Sequence, residues 1–275
     1  MSFSAFLLVL GAVFCHATWN LFVKGSSDRL AALALVMAVT GLVGLALIAF
    51  APLPQSREVW LLLVLSGLLH LGYNISLLLA YRFADLSLAY PLARGAVPLL
   101  VLALSFMVDR QWPGERGLLG LILVAGGIMW LGLGARGQAD GRGVALAFLT
   151  SLWIAGYTVI DGLGMRAALN PLTFLGWTFA LNLGLPLITW VFIWRGRVPQ
   201  GLLRKAPYGL LSPLAYAFVL WAQLTTDFAA VSALRESSVI VAALFGVYFL
   251  GEGQARLRLS AASLVALGAA LVVMA

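Results

Sequence analysis

Ionisable and aromatic side chains recur inside the long apolar stretches of this sequence. In the first stretch, His16, Trp19 and Asn20 have helical spacings of i, i+3 and i+4, so a histidine, an indole and an amide share one helix face. Polar groups in an apolar stretch are costly unless they are paired or hydrated, which makes each one a candidate binding group. We expect this face to line a cavity; hydrogen bonding to a neighbouring helix is the alternative interpretation.

Three later stretches carry similar stripes of aromatic and polar side chains. The third stretch has His70, Tyr73, Asn74 and Tyr81, the sixth has Trp153 and Tyr157, and the eighth has Tyr216 and Gln223. Asp161 continues the stripe of the sixth stretch, but it lies near the predicted helix end. A solvated loop position is therefore as good an expectation for Asp161 as a functional one.

Charged side chains occur deep in the fourth and ninth stretches. Arg94 follows Tyr90 and lies between Pro91 and Pro98, and proline removes a backbone donor and kinks a helix. An irregular helix beside an arginine two turns inside its stretch indicates a gate or an anion-binding element. An arginine that extends to the lipid headgroups is the alternative, which the depth of Arg94 disfavours.

In the second half of the chain, Arg235 occupies the position that matches Tyr90, and Glu236 follows it. Symmetry would bring them and Arg94 to opposite sides of one central space. Arginine binds carboxylates, glutamate receives ammonium groups, and aromatic walls bury apolar area, so this set suits a zwitterionic amino acid. The alternative is that the charges neutralise each other as a structural ion network.

The elements that hold these residues are ten apolar runs, each about long enough to cross a bilayer. They cover 3–23, 31–50, 59–80, 87–107, 117–134, 143–162, 171–193, 207–227, 232–250 and 258–274. The chain is 63% hydrophobic and 10% charged, with a mean hydropathy of +1.03, which excludes a soluble globular domain. The runs lack the alternation of a β-barrel, so we predict an all-α membrane protein with ten transmembrane helices.

An internal repeat divides these runs into two groups of five. At an offset of 145, Phe83-Ala84-Asp85-Leu86-Ser87 aligns with Phe228-Ala229-Ala230-Val231-Ser232, and chance similarity is the alternative explanation. We predict one five-helix repeat over 1–136 and a second over 137–275. An odd number of spans forces the halves into opposite orientations, and inverted repeats around a central cavity are typical of alternating-access secondary transporters.

Charge and cysteine content limit the other possibilities. The net charge of +7 is spread along the loops without a basic run, which argues against nucleic-acid binding. Eleven loop Lys and Arg residues fall on the odd-numbered connections and four on the even-numbered ones, so the positive-inside rule predicts cytoplasmic odd connections and external termini. One cysteine and two histidines support neither a disulfide nor a metal site, and we predict no cofactor.

Four segments also resemble a known group. They are His16-Ala17-Thr18-Trp19-Asn20 with Lys24-Gly25, the segment from Ala84 to Pro91, Ala233-Leu234-Arg235-Glu236-Ser237-Ser238, and Gly251-Glu252. The chain resembles the drug/metabolite transporter superfamily, specifically its EamA-like ten-helix branch, and is similar to YddG-type amino-acid exporters. This resemblance implies a multi-pass carrier of the inner membrane whose cavity is lined mainly by helices 1, 3, 4, 6, 8 and 9.

Together these features predict export of small amphipathic metabolites, amino acids in particular, with aromatic and hydrophobic ones included. A carrier of another organic metabolite or drug-like solute is the alternative. An intramembrane transferase is disfavoured because no helix carries Asp and Glu at i, i+3 or i+4. The expected partners are a small-molecule substrate and membrane lipid, and the expected state is a monomer or weak homodimer. Proton coupling and facilitated diffusion both stay open.

Overall fold

The computed structural model describes residues 1–84, 86–134, 140–238, 240 and 254–275, and every regular element in these ranges is helical. The first half holds α1 Phe3–Gly25, α2 Arg29–Phe50, α3 Arg57–Phe83, α4 Leu86–Gly95, α5 Val97–Asp109 and α6 Gly114–Gly134. The second half holds α7 Gly141–Ala167, α8 Pro171–Ala180, α9 Gly184–Ile188, α10 Ala206–Gly209, α11 Leu211–Ala222, α12 Phe228–Glu236 and α13 Ala255–Met274. Short 3-10 turns at Leu181–Leu183 and Leu203–Lys205 and a π-helical turn at Thr189–Ile193 complete it.

Eight helical stretches within the described residues are long and apolar enough to cross a membrane. The fourth of them runs through α4 and α5, and the seventh runs from α8 to Ile193. The predicted run 207–227 is divided between α10 and α11. Most of the predicted run 232–250 and the Gly251-Glu252 turn lie outside the described residues. The count of ten therefore stays a prediction.

Polar side chains define where several helices begin. Asp28 Oδ1 accepts a hydrogen bond from the backbone N–H of Ala31 at 2.9 Å, and Ser56 Oγ accepts one from Val59 at 3.1 Å. Asp140 caps α7 in the same way. These contacts satisfy backbone donors that the first helical turn leaves unpaired.

The prolines of the fourth run interrupt it where the sequence predicts. Pro91 lies inside α4, and Ala96 separates α4 from α5, which has Pro98 in its first turn. The hydroxyl of Ser151 on α7 lies 3.3 Å from the Leu92 carbonyl oxygen and 3.0 Å from that of Ala93. A hydroxyl that donates to these carbonyls holds the bent segment against α7, close to Arg94.

Helix packing follows the two halves of the chain. The most extensive contacts join α3 to α7, α6 to α13, α1 to α11 and α2 to α8, and α5 also packs against α12. In the two predicted repeats α1 corresponds to α7, α2 to α8, α3 to α11, the run of α4 and α5 to the run that begins in α12, and α6 to α13. If each run is replaced by its counterpart, the α1–α11 pair becomes the α7–α3 pair and the other pairs stay the same. This is the contact pattern expected from two five-run repeats related by a twofold axis.

Candidate functional site

The stripes on α1 and α3 face the interior of the helix bundle. Large apolar side chains on one side of α3, such as Leu61, Leu68 and Leu78, are exposed and form the surface for lipid. His70 lies on the opposite side of the helix and still has a side chain that is 29% exposed. A polar side chain that is accessible from the interior side of a membrane helix indicates an internal space. His16, Trp19 and Asn20 of α1 are likewise half-buried and lie opposite an exposed apolar stripe.

One group of side chains, which we call the aromatic cluster, joins α3, α7 and α11. It consists of His70, Tyr73, Tyr157 and Tyr216. The His70 ring stacks on Tyr157 at 4.1 Å between centroids and meets the edge of Tyr216 at 6.2 Å. Tyr73 meets Tyr157 edge to face at 5.8 Å. The predicted aromatic walls of three helices therefore meet in one place.

Asp161 lies beside the aromatic cluster and is fully buried. The phenol of Tyr216 donates a hydrogen bond to its Oδ2, and His70 Nε2 lies 3.9 Å from the same oxygen. The expectation of a solvated position at a helix end is wrong, because α7 continues to Ala167 and keeps Asp161 inside the helix. Asp161 is absent from the set of site residues predicted from the sequence, and its i, i+4, i+8 spacing with Trp153 and Tyr157 is the signal that could have added it.

A second group, the ion cluster, joins α4 to α12. Arg94 Nε donates to Glu236 Oε2 at 2.9 Å, and Arg94 Nη2 lies 2.8 Å from Glu236 Oε1. Arg235 Nη2 lies 3.5 Å from the same Oε1. All three side chains are buried, with 7%, 1% and 5% of Arg94, Glu236 and Arg235 exposed. The contacts match the ion network that the sequence left open as an alternative, and they occupy the Glu236 carboxylate.

The two clusters are neighbours. Tyr157 interacts electrostatically with Arg94, Arg235 and Glu236 on one side and with Asp161 on the other. Tyr73 also interacts with Arg94. The structure thus brings residues from helices of both halves into one polar interior.

Both halves of the chain match one family profile. The EamA-like transporter family matches residues 3–133 and again residues 141–274. The chain belongs to the EamA-like transporter family. This EamA protein is therefore a multi-pass membrane transporter of small solutes with two EamA repeats, in a family of transporters and not of enzymes.

The fold of this EamA transporter also occurs among solved structures, of which 24 chains match. One of them, described only as a crystal structure of a protein, superposes with a TM-score of 0.76 at 21% sequence identity. The match covers 100% of this chain and 98% of the other. A search of curated proteins gives no match.

Other predicted site residues of the EamA transporter surround the two clusters. The His16 ring lies edge-on to Trp19 at 5.2 Å and interacts electrostatically with Arg94 and Arg235. The Arg94 guanidinium lies 6.0 Å from the centre of the Tyr90 ring. Tyr81 interacts electrostatically with Tyr90 and Arg94 and is 36% exposed. These residues extend the polar interior towards α1 and the end of α3.

The three amide side chains predicted to line the site, Asn20, Asn74 and Gln223, form hydrogen bonds with backbone carbonyl groups instead. Asn20 Nδ2 donates to the His16 carbonyl and Asn74 Nδ2 to the His70 carbonyl, each at 2.8 Å within its own helix. Gln223 is fully buried, and its amide nitrogen lies 3.4 Å from the Thr158 carbonyl. None of these contacts points to a shared binding surface. Trp153 packs over Gly72, where an added Cβ would lie 2.9 Å from the indole.

A third group, the Arg166 cluster, lies at the C-terminal end of α7. Arg166 Nη1 lies 2.7 Å from Asp109 Oδ2, Nε donates to the Gln223 carbonyl at 2.8 Å, and Nη2 donates to the Thr226 carbonyl at 3.0 Å. The guanidinium also lies 4.2 Å from the centre of the Phe228 ring. One arginine of α7 therefore ties the end of α5 to the connection between α11 and α12.

The opposite end of α7 carries a looser version of this contact. Arg142 lies 6.0 Å from the centre of the Phe83 ring, and Phe83 and Phe228 correspond at the offset of 145. The backbone N–H of Asp140 donates to the Phe83 carbonyl at 3.1 Å. The two ends of this helix thus contact the two phenylalanines that the predicted alignment of the repeats pairs.

Proposed function

We propose that this transporter exports small amphipathic metabolites, amino acids in particular, across the inner membrane by alternating access. The observation that carries the proposal is Arg235. The residue is 5% exposed, and its Nε and Nη2 have no hydrogen-bond partner among the described residues. A buried guanidinium with free donors favours an acceptor from outside the chain, and a carboxylate fits its geometry.

The neighbouring ion pair supports Arg235 as the residue for the substrate. Arg94 and Glu236 already contact each other through two nitrogen–oxygen pairs. Arg235 has only the longer 3.5 Å contact with Glu236 Oε1. Its charge is therefore the less compensated of the two arginines, so a substrate carboxylate gains more from Arg235 than from Arg94.

The balance of charges favours a zwitterion. In the part of the chain that the structure describes, Glu236 contacts Arg94 and Arg235, and Asp161 interacts electrostatically with Arg235, so two arginines are balanced by two carboxyl groups. A phosphate ester would require a surplus of cations. An amino acid brings one charge of each sign, and the aromatic cluster can bury its side chain without imposing one orientation.

The location of the ion cluster supports alternating access. Arg94 belongs to the first repeat, and Arg235 and Glu236 belong to the second. A substrate bound there touches both repeats, so it can favour one arrangement of the repeats over another. The proposed oligomeric state of the transporter is a monomer or a weak homodimer.

Flux of labelled L-phenylalanine into proteoliposomes tests the proposal. We expect wild-type flux above that of empty liposomes, a loss of about tenfold or more in Arg235→Gln, and partial flux in Arg235→Lys, because a charge-assisted hydrogen bond is lost or weakened. Arg57→Ala, which removes an exposed arginine at the start of α3, is the matched control and keeps wild-type flux. Wild-type flux equal to that of empty liposomes would overturn the proposal for this substrate.

A further inference from the structure

We infer that Asp161 and His70 form a subsite for the amino group of the transported molecule, between the faces and edges of Tyr157 and Tyr216. The inference rests on the proposed function and names the chemical group that the transporter selects. Glu236, the residue that the sequence favoured for this role, is in contact with Arg94. Among the described residues, Asp161 is the other buried carboxyl group of the polar interior.

The Asp161 carboxyl group lacks a cation in hydrogen-bond contact among the described residues. Its Oδ2 accepts a hydrogen bond from Tyr216, and its Oδ1 is buried with no hydrogen-bond partner in the described chain. His70 and, more weakly, Arg235 interact with it electrostatically, and the Ser66 hydroxyl lies close enough to hydrogen-bond to it. Neither His70, at 3.9 Å, nor Arg235 forms a hydrogen bond with it in the ranges described. A fully buried carboxylate is costly unless a cation is hydrogen-bonded to it, so the site favours a cationic donor from outside the chain.

His70 supplies a second acceptor for the same donor. Its Nδ1 lies 2.9 Å from the Ser66 carbonyl oxygen, which can only accept, so the proton of the neutral ring lies on Nδ1. The lone pair of Nε2 then remains on the side of Asp161, 3.9 Å from Oδ2. One nitrogen placed between two acceptors at this separation can lie about 3 Å from each, which is hydrogen-bond distance. A primary ammonium group has three N–H donors and can also reach Oδ1.

The surrounding rings favour a cation as well. The His70 ring stacks on Tyr157 at 4.1 Å, and the Tyr216 ring stands perpendicular to that of His70. Aromatic faces attract cations through their quadrupole, and the attraction is stronger where water is excluded. A buried carboxylate next to this aromatic cluster therefore favours an amine over a neutral amide.

The position of the subsite gives it a partner for the other end of the substrate. Both Asp161 and Arg235 interact electrostatically with Tyr157. An amino acid bound along Tyr157 would direct its ammonium group to Asp161 and His70 and its carboxylate to Arg235. The transporter should then accept free amino acids and reject N-acylated ones.

Competition in proteoliposomes tests this inference. Influx of labelled L-phenylalanine is measured with excess unlabelled L-phenylalanine, N-acetyl-L-phenylalanine or phenethylamine. For the wild type we expect inhibition by L-phenylalanine and phenethylamine, and at least about tenfold weaker inhibition by the N-acetyl compound. In Asp161→Asn we expect L-phenylalanine influx to fall about tenfold and the preference for the free amine to disappear.

Matched variants separate the subsite from general damage. Glu58→Gln removes an exposed carboxylate of α3 and should preserve both flux and preference. Arg235→Gln should weaken L-phenylalanine influx while phenethylamine still competes for what remains. Asp161→Glu keeps the acid and should keep the preference, even if folding of Asp161→Asn fails.

Two results would contradict the inference in distinguishable ways. The first is that the wild type carries L-phenylalanine while both Asp161 variants keep the wild-type preference for the free amine, or while Asp161→Glu folds normally and loses that preference. In that case the amine subsite is wrong and the amino-acid function stands. If the wild type carries no L-phenylalanine, the proposed function is wrong and the subsite falls with it.

Discussion

Arg94 of the first repeat and Glu236 of the second form a buried ion pair, with Nε 2.9 Å from Oε2 and Nη2 2.8 Å from Oε1. The contact joins the bent α4 to the last residue of α12. Arg235 is a second cation close to the same carboxylate, so removal of the Glu236 charge leaves two buried guanidinium groups without this counter-ion.

We predict that Glu236→Gln destabilises the transporter by about 3–5 kcal/mol, because breaking one side of a buried ion pair leaves an uncompensated charge. Arg94→Gln combined with Glu236→Gln should be more stable than Glu236→Gln alone. The thermal unfolding midpoint in detergent measures both effects. Equal midpoints for the single and double variants would mean that the pair is not coupled, and Glu58→Gln controls for the loss of a carboxylate at an exposed site.

The Arg166 cluster predicts a contact that keeps one end closed. Arg166→Ala removes the contacts with Asp109, Gln223, Thr226 and Phe228. We expect maleimide labelling of a cysteine at the buried Ala230 of α12, placed in a Cys15→Ser background, to accelerate about tenfold, because the loss of charge-assisted hydrogen bonds favours opening at this end. Arg116→Ala, which changes an exposed arginine of α6, should leave the rate unchanged; an unchanged rate in Arg166→Ala would mean that this cluster does not control opening.

Gly120 and Gly268 allow α6 and α13 to pack at backbone distance. A Cβ at Gly120 would lie 2.7 Å from the Gly268 carbonyl oxygen, and a Cβ at Gly268 would lie 2.6 Å from that of Gly120. We predict that Ala at either position destabilises the protein by about 1–3 kcal/mol through overpacking. Gly126→Ala is the control on the same helix, since no atom lies within 4 Å of its added Cβ. Equal thermal midpoints for Gly120→Ala and Gly126→Ala would contradict the close approach.

The distribution of basic residues predicts the orientation of the chain. With Cys15 replaced by Ser, a cysteine at Arg197, between α9 and α10, should resist a membrane-impermeant maleimide in intact cells and react after permeabilisation, because odd connections are predicted to be cytoplasmic. A cysteine at Gln55, between α2 and α3, should react in intact cells. The reverse pattern would place both termini in the cytoplasm.

Sequence periodicity predicted the helices better than their interruptions. Hydropathy located α1, α2, α3 and α6 within a few residues, because a membrane helix must satisfy its own backbone groups along an apolar run. It predicted the end of α7 five residues early, because the charged Asp161 and Arg166 lower the local hydropathy. Both residues are nevertheless part of the helix, where partners on other helices satisfy them. The break between α4 and α5 was signalled by proline, whereas the irregular turns between α8 and Thr189–Ile193 had only Pro186 as a cue.

The candidate site was predictable in its residue types and less so in its pairings. Spacing placed His70, Tyr157 and Tyr216 on interior faces, and the structure brings them together. The sequence predicts that Glu236 receives the ammonium group, whereas the structure pairs Glu236 with Arg94. These two residues are 142 positions apart in the sequence. Periodicity within one helix carries no information about such contacts.

α7 has 27 residues, which at about 1.5 Å per residue makes a rod of about 40 Å. Arg142 at its start and Arg166 at its end contact the phenylalanines Phe83 and Phe228, at 6.0 Å and 4.2 Å. Because α7 is one continuous helix, a tilt that moves Arg142 away from Phe83 would move Arg166 closer to Phe228, and the opposite tilt would do the reverse. Under the proposed alternating access, the contacts at both ends of the pathway would then be coupled through one helix.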